Sequence, residues 1–445
     1  RFPRSVHVLE HLDRLVEIFN VCWPMYAAMP AILKDAMEKA YIAAGWDLAL
    51  SRNRFDENLY PSFVDVFKQI KKVLDESDYS ADNKGDYTGA LVTRVKSLTN
   101  GLNGLIFTTD DLEDRELFEQ NIIVDLSRVG SADTKALIMG ILVLKLQEYR
   151  MDTGESNSCL KHITVLEEAH NLLKRTSAEQ ITEGANLLGK SVEMLANAIA
   201  EMRTYGEGFV IADQAPCLLD MSAIRNTNTK IILRLPDFAD RELVGKAAGL
   251  NDHQITELGR LEKGVAAIMQ SDWIEPVLCK IDMFDKKCEW RSDGRIEPKE
   301  RIDENVEESL LECIMNKEIY RKGDRIDMQR LRSQVICSRL ESTVKCEFLD
   351  YINSQNEESV DKLRQFVFDF FHASEAMERS RKYHDINEWV RAVVDHLEPS
   401  VRGYSNSQIN LLLALIVNEQ AIRDVDYTDV FCRFTEIYQQ EKRVF

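Results

Sequence analysis

Two adjacent carboxylates, Glu167 and Glu168, follow the run Ile163, Thr164, Val165, Leu166. A short β-branched apolar run reads as a strand buried on both faces of a parallel sheet, and in such sheets ligand chemistry gathers at the carboxyl ends of the strands. An acid in the first position there suits the water shell of Mg2+, and an acid in the second suits polarising a water for attack on a phosphoryl group. Two acids that simply open a helix, favoured by the positive end of its dipole, would give the same letters.

The layout is that of a Walker B motif, and other segments supply elements that could hold it. Residues 121–126 (NIIVDL), 208–214 (GFVIADQ), 230–235 (KIILRL) and 264–270 (GVAAIMQ) read as further apolar strands separated by helix-like stretches, the pattern of βαβ units and a mostly parallel sheet. Each expected strand ends in a polar side chain: Asp125, the two glutamates, Gln214, Arg234 and Gln270. Residues 135–147 (KALIMGILVLKLQ), apolar on nearly all sides, predict a buried helix beneath the sheet. Residues 5–106 read as mainly helical, with Ser62 as an N-cap and 75–86 as a polar loop.

Several of these segments, in this order, resemble the HerA-like branch of the FtsK/HerA superfamily of P-loop DNA translocases, which includes the VirB-type secretion ATPases. The resemblance covers about residues 5–285 and rests on "FNVCWPMYAAMPAILKDAMEKAYIAAGWD", "IIVDLS", "LEEAHNLL", "EMRTYGEGFVIADQAP" and "NTNTKIILRLPD". It implies an α/β fold with a RecA-like P-loop motor core that uses ATP and Mg2+, works as a homo-oligomer, usually a hexameric ring, and moves double-stranded DNA. Position by position, Glu168 matches the catalytic glutamate, and Glu167 a residue more often Asp, holding Mg2+ through water. Lys174 falls where relatives carry a basic residue facing the nucleotide. Arg203 matches an arginine finger that reaches the neighbouring subunit's site, and Gln214 a polar sensor of the γ-phosphate. Arg225, Arg234 and Asp125 are weaker nucleotide-side candidates; for each arginine a solvated or ion-pair role is an equal alternative.

One part of the pattern is missing. Residues 184–191 satisfy G-x-x-x-x-G-K-S letter for letter, but a phosphate loop must follow a buried strand, and residues 177–183 are polar and strand-poor. The match also follows Walker B in the chain. It reads as a loop or helix start that imitates a Walker A motif, so the Walker A strand and loop are expected upstream of a fragment opening at Arg1. Without that loop the phosphates lose most of their contacts, and weak ATP binding and poor hydrolysis are expected of this piece alone.

The 445 residues, 44% of them hydrophobic, suggest two or three domains. A formal charge of −19 argues against a protein that coats DNA, though not against a ring that touches it through a few pore loops. The basic residues Lys174, Arg175 and Lys190 mark one candidate pore loop, with a solvated surface loop as the plainer alternative. Nine cysteines without a C-x-x-C pair and eight histidines without metal spacing make zinc unexpected and a reduced, cytoplasmic setting the default. No 18-residue apolar run or signal peptide points to a membrane.

The expected organisation is a helical lobe over 1–115, a motor core over 116–290, a polar linker over 291–300 and an all-helical domain over 301–445. Within the last, 304–315, 328–342, 359–375, 386–397 and 407–418 show helical periodicity. Minimal HerA-like motors lack such a tail, and larger relatives resembling the DptH motor of DNA restriction carry extra domains. The tail therefore reads as a docking site for a nuclease or other defence-system partner, or as a structural cap. The sequence points to an ATP-dependent DNA translocase or helicase subunit of a restriction or antiphage system; a conjugation ATPase and a non-hydrolysing scaffold that docks a nuclease stand as alternatives.

Overall fold

The computed structural model describes residues 1–23, 25–109, 112–175, 183–283, 306–316, 328–354 and 357–438. The expected linker at 291–300 lies outside them. Two compact units emerge: one from Arg1–Glu38, Val73–Leu91 and Asp111–Glu297, the other from Lys39–Lys72, Val92–Asp110 and Pro298–Phe445. In chain order the strands among the described residues are β1 (Trp46–Asp47), β2 (Arg52–Asn53), β3 (His162–Glu167), β4 (Glu207–Ala212), β5 (Thr229–Ile232), β6 (Val265–Gln270) and β7 (Val277–Lys280).

The first unit is mixed α/β. β3 and β4 run parallel, with His162 opposite Glu207 and Glu167 opposite Ala212. Beside the strands stands the helix Ala132–Thr153, whose buried positions fall all round its axis. A helix apolar on so many sides needs helical neighbours too, and it packs against the helices Val8–Cys22 and Glu183–Glu201. The contact with Val8–Cys22 is close: a Cβ on Gly140 would sit 2.6 Å from Ile18 Cγ2, so only glycine fits there. At the other end of the helix, Arg150 donates through Nε to Glu207 (2.9 Å) and through its terminal nitrogens to Glu119 (2.6 Å) and the Phe118 carbonyl (2.8 Å). Glu207 also meets His162 Nδ1 (2.8 Å) and the Thr164 hydroxyl (2.7 Å), so one fully buried carboxylate ties that helix to the start of both strands.

β5, β6 and β7 form a separate antiparallel sheet. Ile232 and Ala267 face a small core with Ala248 and Leu258 from the following helices. The mostly parallel sheet expected from the sequence is thus realised only at β3 and β4. A short connection such as 271–276 can join only antiparallel neighbours, and β7 was not anticipated.

Two further expectations need correction. Residues 121–126 form no strand: Ile123 is 94% exposed, and among the described residues no strand offers their backbone a ladder. Residues 81–87 form a helix capped by Ser80, where a loop was expected. Of residues 1–115, read as an inserted helical lobe, 1–38, 73–91 and 111–115 fall in the first unit and 39–72 and 92–110 in the second. An amphipathic helix such as Val8–Cys22 advertises a buried face without naming its partner, and here the partners are the helices Ala132–Thr153 and Glu183–Glu201.

The second unit is helical apart from the β1–β2 ladder. Helices Ser342–Asn353, Glu357–Phe370, Asn406–Arg423 and Thr428–Tyr438 pack in succession, around a core that includes Phe348, Phe366, Phe368, Leu413, Ile416 and Phe434. Asp65 joins the helix that Ser62 opens to Ser342, accepting from its backbone N and hydroxyl at 2.9 Å each. Lys345, 1% exposed, donates to the carbonyls of Ile336 and Ser338. No helix of the described residues is long and apolar enough to cross a membrane.

Candidate active site

The parallel register of β3 and β4 decides which side chains meet. With Glu167 opposite Ala212, the next residues, Glu168 on one strand and Asp213 and Gln214 on the other, leave the sheet together at its carboxyl end. Strands in a sheet lie about 4.8 Å apart, so these residues share one short ledge. Glu167, Glu168 and Gln214 are exposed there.

Glu168 occupies the left-handed region, at φ 49° and ψ 48°. For a side chain with a Cβ that conformation costs on the order of 1–2 kcal/mol and persists only where the surroundings impose it. The surroundings are visible. The Glu168 carbonyl accepts from the Asn171 backbone N and from Asn171 Nδ2, both at 3.0 Å. Asp213 Oδ2 accepts from the His170 backbone N (2.9 Å) and lies 2.8 Å from His170 Nδ1, while Asp213 Oδ1 accepts from the Ala215 N (2.9 Å). The Asp213 side chain is 2% exposed. A buried carboxylate at the end of β4 therefore grips the turn that follows β3.

Past this turn the two chains stay together: Lys174 pairs with Leu219 in an antiparallel bridge, Arg175 N donates to the Leu218 carbonyl (2.7 Å) and Asp220 N to that of Leu173 (2.9 Å). Lys174 is exposed beyond this turn. Arg203 is exposed as well, but elsewhere. It lies in the turn Met202–Tyr205 before β4, at the amino end of the strands, whereas Glu168 follows their carboxyl end. Five residues of strand put about 17 Å between the two ends, so Arg203 cannot serve the site of its own chain.

The remaining candidates are not gathered. Asp125 is solvated, and hydrogen bonds from Ser127 hold its carboxyl below the usual range. Arg225, on the helix Met221–Asn226, and Arg234, beyond β5, are exposed and make no described contact with the two glutamates. The G-x-x-x-x-G-K-S match lies wholly within the helix Glu183–Glu201, with the Ser191 hydroxyl buried against Glu17 Oε2 at 2.5 Å. Beyond its first turn a helix spends its N–H groups on its own carbonyls, so the G-K-S end of this segment, residues 189–191, builds no phosphate cradle. Lys190, in the same helix, leaves the proposed pore loop without its third member.

His170 and Asp213 were not singled out from the sequence. The available signal was an acid directly preceding Gln214 and a histidine two residues past Glu168, each at a strand end.

No family model matches the chain. Among similar proteins, the DNA double-strand break repair helicase HerA of Sulfurisphaera tokodaii is 24% identical over 243 residues, covering 54% of this chain and 47% of that protein. The protein of that name from Saccharolobus solfataricus is 25% identical over 250 residues, covering 53% and 47%. The similarity is to HerA. This chain spans about half the length of the HerA proteins it matches. Among solved structures, VirB4 of Thermoanaerobacter pseudethanolicus is similar at a TM-score of 0.46 and 16% identity, covering 64% of this chain and 72% of that one.

Proposed function

We propose that the first unit is the hydrolytic part of a HerA-type, ATP-driven DNA translocase or helicase. The observation that carries this reading is Glu168, held in a left-handed turn at the carboxyl end of β3 beside Gln214. In that role Glu168 polarises the attacking water and Gln214 senses the γ-phosphate. Glu167 orders water on Mg2+, which when bound neutralises charge on the phosphates.

The residues fit such a group in part. Among the described residues no group of three or more His, Cys, Asp and Glu is placed to hold a metal ion; in the proposed role Mg2+ would be held mainly by phosphates and water. The backbone cradle for the β- and γ-phosphates is not among the described residues. β3 and β4 leave room for one more element: on one face Ile163, Val165 and Val210 are each about half exposed, although parallel sheets are normally covered on both faces.

The placement of Arg203 favours a finger supplied to a neighbouring copy, hence a homo-oligomeric ring, with double-stranded DNA as the substrate to be moved. The resemblance to restriction motors suggests a defence system, a cytoplasmic setting, and a nuclease or other partner docked through the helical domain. A non-hydrolysing scaffold that docks a nuclease is the second reading, since the described residues include no phosphate loop. Nucleotide turnover by the intact protein separates the two: turnover lost in Glu168→Gln supports the motor, and a wild type without turnover supports the scaffold.

A further inference from the structure

Asp213 and His170 have no part in the site as described so far, yet they control its geometry. The Asp213 carboxylate is nearly inaccessible and takes three contacts, from His170 N, His170 Nδ1 and Ala215 N. Two of these fix the residue two positions past Glu168, and the third fixes the residue just past Gln214. One carboxylate thus joins the chain segments carrying the acid and the amide that face the γ-phosphate in the reading above. The backbone of Glu168 is strained, and the only anchors on its turn from the neighbouring strand's end, among the described contacts, are those to Asp213.

We propose that Asp213 and His170 form a positioning latch that holds Glu168 in its left-handed turn and in register with Gln214. His170 acts through the bond from its ring to Asp213, and Asp213 acts through the turn; neither need touch the substrate. The proposal rests on the reading of Glu168 as the hydrolytic carboxylate.

The test compares wild type, His170→Ala, His170→Asn and Asp213→Ala in the intact protein. Asparagine places its amide nitrogen where Nδ1 stood and can keep the bond to Asp213; alanine cannot. Amide hydrogen exchange is expected to quicken about tenfold at residues 168–173 in His170→Ala and Asp213→Ala, with β3 and β4 protected as before, and to stay near wild type in His170→Asn. ATP turnover is expected to fall about tenfold to a hundredfold in His170→Ala at unchanged KM, and to recover in His170→Asn. Unchanged exchange in His170→Ala removes the latch. A loosened turn with wild-type turnover, or His170→Asn as slow as His170→Ala, overturns its positioning role. Glu168→Gln with wild-type turnover would instead remove the function assigned to Glu168, while the exchange result still decides whether the latch exists.

Discussion

Glu168 should be a residue that the fold would be more stable without. Its φ of 49° and ψ of 48° put a Cβ against its own carbonyl, at a cost on the order of 1–2 kcal/mol that glycine does not incur. Glycine costs about 0.5–1 kcal/mol in extra freedom of the unfolded chain. Both hydrogen bonds from Asn171 go to the Glu168 main-chain carbonyl, so Glu168→Gly retains them. The net expectation is a gain of roughly 0.5–1 kcal/mol, or about 1–4 °C in the unfolding midpoint of a unit this size. Glu168→Gln keeps the Cβ and the strain and loses only the charge, so its midpoint should match wild type. Thermal and urea unfolding of the three proteins side by side measures this, and neither variant should hydrolyse ATP. A Glu168→Gly protein less stable than Glu168→Gln would show that the left-handed turn is not strained in the folded chain, and the inference from strain to function would go with it.

Glu207→Ala should cost about 3–5 kcal/mol in urea unfolding, because it strands Arg150, His162 and Thr164 around a site from which the carboxylate has gone; a loss under about 1 kcal/mol would contradict the buried network. In the helical unit, burial and a hydrogen bond with Asp369 push the Glu347 carboxyl from 4.5 up to about 9. The folded state then binds the extra proton, so this contribution is whole below about pH 4.5 and is lost as pH rises toward about 9, at no more than ~1.4 kcal/mol per pH unit. Glu347→Gln should flatten the stability profile across that window, and an unchanged slope would refute the assignment. Lys190→Ala should leave ATP affinity and basal turnover unaltered, since its G-x-x-x-x-G-K-S match is helix; a large loss of nucleotide binding would restore the motif. Mixing Glu168→Gln with Arg203→Ala should recover part of the turnover each lacks alone, because Arg203 lies about 17 Å of strand away from its own Glu168; no recovery would argue against a finger in trans.

The acidic strand end was legible because a β-branched run stopping at two carboxylates stood among four other apolar runs with polar ends; alone, two acids opening a helix would have given the same letters. Gln214 was legible for the same reason, as the polar end of β4. Glu168's backbone was not: glutamate has no preference for the left-handed region, so only the bonds to Asn171 and Asp213, fixed by strand register, reveal it. Strand direction was also hidden, since alternation of apolar residues is the same in β5 to β7 whether the neighbours run parallel or antiparallel. The helical tail was legible from its period, as at Ile386–Val401 and Asn406–Arg423. The burial of Lys345 was not, because a lysine on a helix normally marks a wet face and this one is held by two carbonyls.

The central claim is that Glu168 drives ATP hydrolysis in an assembled motor. DNA-stimulated ATP turnover by the intact protein, beside Glu168→Gln and Arg203→Ala with the oligomeric state of each determined, tests it most directly. The account predicts DNA-stimulated turnover in wild type and none in either variant, all three assembled alike. A wild type without turnover, or variants that match it, would contradict the account and leave the ATPase-like scaffold in its place.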